Sequence, residues 1–163
     1  MDTEALKAQL RAHEGVRDRA YRDSRGILTV GVGFNLTRPD ARTRIAAVGA
    51  DYALVCAGLR ALTPRQIDEL LDFTIAEACN ATRGIVPDFP DLPDAIQLVL
   101  VDMVFNLGAA GVSRFRKMLA AVAARDWPEM ARQMEDSAWF AQVGVRSQQL
   151  VAAVRAVATE DIA

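Results

Sequence analysis

The chain has 163 residues, 52% hydrophobic and 25% charged, with 19 Lys and Arg against 21 Asp and Glu for a net charge of -2. That is ordinary globular usage, which excludes disorder along the whole chain, and a chain of this length buries enough surface to fold without staples. A sequence pI of about 5.4 argues against a nucleic-acid binder that relies on global charge.

From the N-terminus, the pattern predicts a helix over 3–13, capped by Thr3 or Asp2, with Leu6 and Leu10 one turn apart on one face. Gly15 is its stop, which leaves Glu14 at the helix C-terminus. Arg22-Asp23-Ser24-Arg25-Gly26 is turn chemistry, and the following Ile27–Phe34 run is rich in β-branched residues and glycine. Residues 16–36 therefore read as a small hairpin or three-stranded sheet. No other stretch of the chain reads as β.

Helices fill the rest. Pro39 and Gly49 bracket one, and Thr63-Pro64 caps a longer one running to about Thr82 or Arg83. Residues 87–93 hold half of the six prolines and read as a connection. From Pro93 to Gly108, apolar residues cover nearly every side, the mark of a buried central helix. Further helices are expected at about 112–124, capped near Ser113, at 127–136, capped by Asp126 with Pro128 just inside, and at 144–158. Trp127 and Trp139 read as core anchors. Cys56 and Cys79 make no metal-ligand spacing and are too few for a disulfide framework, so they read as buried or half-buried thiols.

No targeting segment is visible. Met1-Asp2-Thr3-Glu4 opens an amphipathic pattern, and the apolar run Ile96–Leu107 is interrupted by Gln97, Asp102 and Asn106 and is too short to span a bilayer. The expected product is cytoplasmic where it is made, monomeric, and without stable membrane insertion.

The informative stretch runs from Glu14 to Gly33. A carboxyl at a helix end, a second in a turn and a hydroxyl in a strand are brought together by chain reversal. Glycoside cleavage uses such a set, with one protonated carboxyl for the leaving oxygen and one ionised group assisting attack at the anomeric carbon. The acid must keep its proton near neutral pH, so it should be partly buried, and a helix C-terminus disfavours negative charge there. Asp23, in an exposed turn, is expected to stay ionised. Spacing alone is weak support, because Glu and Asp nine residues apart are common.

Glu14-Gly15, Asp23, Thr29 and Gly31-Val32-Gly33 match in type and spacing the motif of the phage lysozyme family (glycoside hydrolase family 24), which this chain resembles. Met103-Val104-Phe105-Asn106-Leu107-Gly108 is similar to the family's central helix, and Ser137-Ala138-Trp139-Phe140 and Arg146 resemble features near its C-terminus. The resemblance implies an α+β, mainly α, two-lobe lysozyme-like fold in one domain over 1–163. It implies a lobe over about 14–62, a helix over 3–13 packed on the C-terminal lobe, a linking helix over about 63–83, and a helical lobe over about 84–163.

The activity it implies is hydrolysis of the β-1,4 bond between N-acetylmuramic acid and N-acetylglucosamine in peptidoglycan, with inversion. Glu14 would be the general acid, Asp23 the group that orients or activates the attacking water or stabilises the developing cation, and Thr29 the holder of that water. Thr29 is expected to donate to Asp23 and accept from water. Arg146 would fix the Glu14 rotamer. Gly33, Phe34, Leu36, Phe105 and Asn106 would contact substrate. No metal or cofactor is implied. The implied setting is a phage or prophage endolysin, released to the periplasm and wall by a holin, with peptidoglycan as partner and no nucleic acid.

Phe34 stands where a histidine is common in the family, and Asn106 where glutamine is often found, so its polar contact reaches less far. Two rival readings keep the fold: a peptidoglycan-binding or scaffold module without turnover, and a muramidase effector or bacteriocin domain. With a net charge of -2, attraction to an anionic wall would rest on local cations such as Arg11, Arg17, Arg19, Arg22 and Arg25.

Overall fold

A computed structural model describes residues 1–160, and the last three residues of the expected helical lobe lie outside them. The chain divides into two compact units, Glu4–Ala76 and Met1–Thr3 with the chain from Glu77 onward.

The first unit opens with α1 (Thr3–Glu14), whose Leu6 and Leu10 are fully buried. Gly15 ends it at φ 74°, and its N–H donates to the Arg11 carbonyl at 3.0 Å. A left-handed residue is needed to close this turn, and glycine adopts it without a Cβ clash. From Glu4 on, α1 belongs to the compact unit over 4–76. Within that unit Lys7, only 5% exposed, pairs with Asp68 at 3.3 Å and Asp72 at 2.6 Å, and Arg11 also binds Asp68.

Three antiparallel strands follow in sequential order: β1 (Arg17–Arg22), β2 (Leu28–Gly31) and β3 (Phe34–Asn35). Tyr21 stands opposite Thr29, and Thr29 opposite Asn35, so one row crosses all three strands. The β1–β2 register shifts between Arg17 and Tyr21, an irregularity that frees the start of β1 from strict pairing. The Asp23–Gly26 turn closes with the Gly26 N–H on the Asp23 carbonyl at 2.9 Å.

Helix α2 spans Ala41–Ala47, two residues later than the Pro39 start expected. Asp40 takes the N-cap position and its carboxylate binds Arg38 and Arg44, which draws residues 38–40 into a turn ahead of the helix. Helix α3 (Tyr52–Cys56) was not foreseen, because five residues are too few to show a period; Asp51 caps it by accepting from the Leu54 N–H.

Helix α4 (Pro64–Ile85) runs from the first unit into the second. Its start is a reciprocal cap. The Thr63 hydroxyl accepts from the Gln66 N–H at 3.2 Å, and the Gln66 side-chain oxygen accepts from the Thr63 N–H at 2.9 Å.

In the second unit a short 3-10 turn (Phe89–Asp91) occupies the proline-rich connection. Buried Gln97 donates to the Leu92 carbonyl at 2.7 Å and ties the connection to the next helix. Helix α5 (Asp94–Val112) has its Ile96, Leu100 and Met103 side chains fully buried. Gly108, expected as its end, is a break at φ 71° with one further turn beyond it. The element is thus 19 residues, longer than the apolar run anticipated, and meets the length and composition of a spanning helix; half of it is buried inside the fold.

The remaining helices are α6 (Arg116–Ala124), α7 (Trp127–Glu135), α8 (Ala138–Val143) and α9 (Val145–Glu160), with α7 packed on α6 and α9, and α9 also on α5. Asp126 caps α7 as expected, accepting from the Glu129 N–H at 3.0 Å. Ser113 does not cap α6. Its hydroxyl donates to the Ala109 carbonyl at 2.8 Å, so it closes α5 instead, and α6 starts three residues later at Arg116. Helix α8 was not foreseen; Ser137 caps it and Gly144 ends it. Trp127 and Trp139 are 2% and 4% exposed, as core anchors should be. Both cysteines are free, Cys79 buried and Cys56 half-buried.

Candidate active site

Glu14 is the last residue of α1 and is half-buried. Its carboxylate lies against the backbone of Gly33. A Cβ built on Gly33 would stand 3.3 Å from Glu14 Oε2 and 3.5 Å from its Cδ. Gly33 has φ 68°, so glycine is required twice over, for the backbone conformation and for the close approach. This brings the end of α1 onto the tip of the sheet.

Asp23 lies at the end of β1 in the turn. Its Oδ1 accepts from the backbone N–H groups of Arg25 at 2.9 Å and Ile27 at 2.8 Å. This turn holds the carboxylate by short-range geometry and leaves Oδ2 the freer oxygen, with Arg25 Nε 3.8 Å away. Asp23 is half-buried rather than fully exposed.

Thr29 sits in β2 at 3% exposure. Its hydroxyl donates to the Ile27 carbonyl at 3.0 Å, which corrects the expectation that it donates to Asp23. The proton is committed to the backbone, and the hydroxyl oxygen keeps its lone pairs for an incoming donor.

Phe34 and Leu36 are 2% and 1% exposed, buried in the core below the sheet. The sequence reading gave Phe34 an apolar contact with sugar and placed Leu36 in the substrate site. Neither side chain presents a surface for that. Arg38 instead stacks its guanidinium 5.5 Å from the Phe34 ring centroid, and the Leu36 carbonyl accepts from Tyr52 Oη at 2.7 Å.

The helical unit holds the other named residues. Phe105 and Asn106 are half-buried on α5. The Asn106 side-chain oxygen accepts from Trp139 Nε1 at 3.1 Å, so its NH2 is the group left to face outward. Trp139 meets Phe115 edge to face, centroids 6.2 Å apart. Phe115 also lines a pocket of about 450 Å³ with Arg114, Arg116, Lys117, Gln133 and Ser137. Arg146, 8% exposed, donates through Nε to Asp102 Oδ1 at 2.7 Å; Asp102 is fully buried.

Tyr21, which sequence reasoning passed over, shares the sheet row with Thr29. Burial holds its phenol above the usual range, and the negative charge of Glu14 adds to this; Arg17 opposes the shift and Asp23 reinforces it. Both candidate carboxylates therefore act electrostatically on this one side chain. Among the described residues no group of three or more His, Cys, Asp or Glu is placed to hold a metal ion.

A model of the family described as "Phage lysozyme" matches residues 11–156. The chain belongs to the phage lysozyme family. Its relatives include "Probable T4-type lysozyme 2" of Dictyostelium discoideum, 24% identical over 155 residues that cover 90% of this chain and 91% of that one. They also include the "Pre-baseplate central spike protein Gp5" of Enterobacteria phage T4, 24% identical over 88% of this chain and 26% of the relative. The "Peptidoglycan hydrolase gp36" of Enterobacteria phage SP6 is 28% identical over 62% of this chain and 10% of the relative. Membership agrees with the observed α+β architecture, a small sheet followed by a helical part.

Proposed function

We propose that this chain hydrolyses the β-1,4 bond between N-acetylmuramic acid and N-acetylglucosamine in peptidoglycan. The carrying observation is the Glu14 carboxylate seated on Gly33 at the tip of the sheet that bears Asp23 and Thr29. Family membership and a peptidoglycan hydrolase among the relatives support the substrate class.

In this reading Glu14 donates its proton to the leaving glycosidic oxygen. A water gives one hydrogen to Asp23 Oδ2 and the other to the Thr29 oxygen, whose own proton is held by Ile27. Asp23 takes the proton as the water attacks the anomeric carbon, and the configuration inverts. Arg146, assigned by the resemblance to the Glu14 rotamer, pairs with Asp102 within its own unit. Phe105 and the Asn106 amide are the substrate contacts proposed on α5.

The biological setting we propose is an endolysin made in the host cytoplasm and reaching the wall through a holin. The test is turbidity loss of outer-membrane-permeabilised Gram-negative cells, wild type beside Glu14→Gln, with the fragments identified by mass spectrometry. Clearing by wild type alone, with reducing-end muramic acid, is expected. Clearing by both proteins would refute the role of Glu14, and anhydro ends would replace hydrolysis with a transglycosylase reaction. Wall binding without clearing would favour the module without turnover.

A further inference from the structure

The groups proposed for the chemistry at the sheet present acceptors to a glycan. Asp23 offers carboxylate oxygens, and the Thr29 hydroxyl has given its hydrogen to the Ile27 carbonyl. In the reading above, the Glu14 proton is transferred during the reaction. A glycan brings many acceptors of its own, including N-acetyl carbonyls, hydroxyls and ring oxygens. A donor beside Thr29 that stays protonated throughout complements them.

Tyr21 fits by position. It stands opposite Thr29 across the β1–β2 pair, and directly opposed residues put their side chains on the same face of a sheet. Its ring is half-buried, with the Arg17 guanidinium 5.2 Å from the centroid, which fixes the ring and limits its rotamers. No hydrogen bond of the Tyr21 hydroxyl occurs among the described residues, whereas the other tyrosine, Tyr52, binds the Leu36 carbonyl at 2.7 Å. A tyrosine with a packed body and an open tip commonly reserves its O–H for a ligand or water.

We propose that Tyr21 is a substrate-contacting residue, its neutral phenol donating a hydrogen bond to a sugar oxygen of the glycan beside Thr29. The assignment rests on the glycoside-hydrolase reading and adds to it a specificity contact outside the acid, base and water-holding set. Burial and the neighbouring carboxylates favour the protonated phenol, so the donor persists across neutral and mildly alkaline pH.

The test removes the oxygen alone. Tyr21→Phe is expected to keep the wild-type melting temperature and kcat while raising KM on soluble peptidoglycan fragments about 3- to 10-fold, the range of one neutral hydrogen bond. Binding is read separately by calorimetry with a muropeptide oligosaccharide, comparing Glu14→Gln with Glu14→Gln/Tyr21→Phe. The double variant should bind weaker by the same factor. Unchanged KM and unchanged affinity overturn the proposal. A fall in kcat with intact affinity overturns it too, because the bond would then not be made to bound glycan.

A Glu14→Gln protein that still hydrolyses overturns the catalytic reading instead, while the binding comparison still reports on Tyr21. If the Phe variant melts early, fluorotyrosine in a Tyr52→Phe background labels Tyr21 alone, since the chain has two tyrosines. A more acidic phenol should bring the alkaline rise of KM to lower pH, and an unmoved profile would count against the contact.

Discussion

In the unit over 4–76, Asp23 and Thr29 are held by neighbours in sequence, and so is the helix end that carries Glu14. A helix ends at Gly15, a turn closes at Gly26, and a hydroxyl bonds a carbonyl two residues away. In the unit from Glu77 onward, Asn106 and Arg146 are held by partners 33 and 44 residues distant, Trp139 and Asp102. Local geometry places reactive groups where two or three backbone angles specify them. Buried polar pairs do the same across helices, with packing to exclude water. The first arrangement tolerates little change of backbone shape, and the second little change of charge.

The sharpest test of the first arrangement is Glu14→Gln. Removing a general acid while keeping shape should lower the hydrolytic rate by about 10³-fold with the melting temperature unchanged. A thermal shift alongside the loss would mean that Glu14 also supports the fold.

The helical unit should break through charge. Arg146→Met leaves fully buried Asp102 without its cation, and breaking such a pair costs about 3–5 kcal/mol. For a chain of this size that lowers the melting temperature by roughly 6–20 °C. Asp102→Leu/Arg146→Met should recover most of the loss. A double variant no better than the single would show that the ion pair itself, not an orphaned charge, sets the stability.

Gly33→Ala tests backbone shape. It adds a Cβ at 3.3 Å from Glu14 Oε2 at a residue with φ 68°. The strain should cost about 1–2 kcal/mol, and the displaced carboxylate about 10- to 100-fold in kcat. Equal activity in the alanine variant would mean that Glu14 does not work from this position.

The smallest effects separate the units by pH. Arg132 and Gln133, through hydrogen bonds to its carboxylate, hold Glu129 down at about 2. A depressed carboxyl contributes stability that is full above its ordinary 4.5 and lost as pH falls toward 2. Lys7 is held above its ordinary 10.5 chiefly by its bond to Asp72, against the opposing effect of burial. Its contribution is full below 10.5 and lost as pH rises through the elevated value. Glu129→Gln should therefore flatten the acid limb of a melting-temperature profile, and Lys7→Met the alkaline limb. Exchange of the two effects would contradict both assignments.

Much of this was legible in residue order. Gly15 stops α1, Thr63-Pro64 opens α4, Asp126 caps α7, and the sheet falls within 16–36. Each rests on chemistry spanning a few residues. The short helices α3 and α8 escaped because neither shows a full apolar period, and the cap expected at Ser113 or a neighbour falls at Phe115, because the Ser113 hydroxyl bonds back to Ala109 in α5.

Sequence by itself determined the helical preponderance, because periodicity and capping are local, and through the resemblance to the family motif it named Glu14, Asp23 and Thr29 as a candidate set. Tertiary structure alone decided that Phe34 and Leu36 are core, that Asp102 pairs with Arg146, and that Tyr21 shares a row with Thr29. Burial and pairing depend on which distant segments close over a side chain, and no short window of residues carries that information.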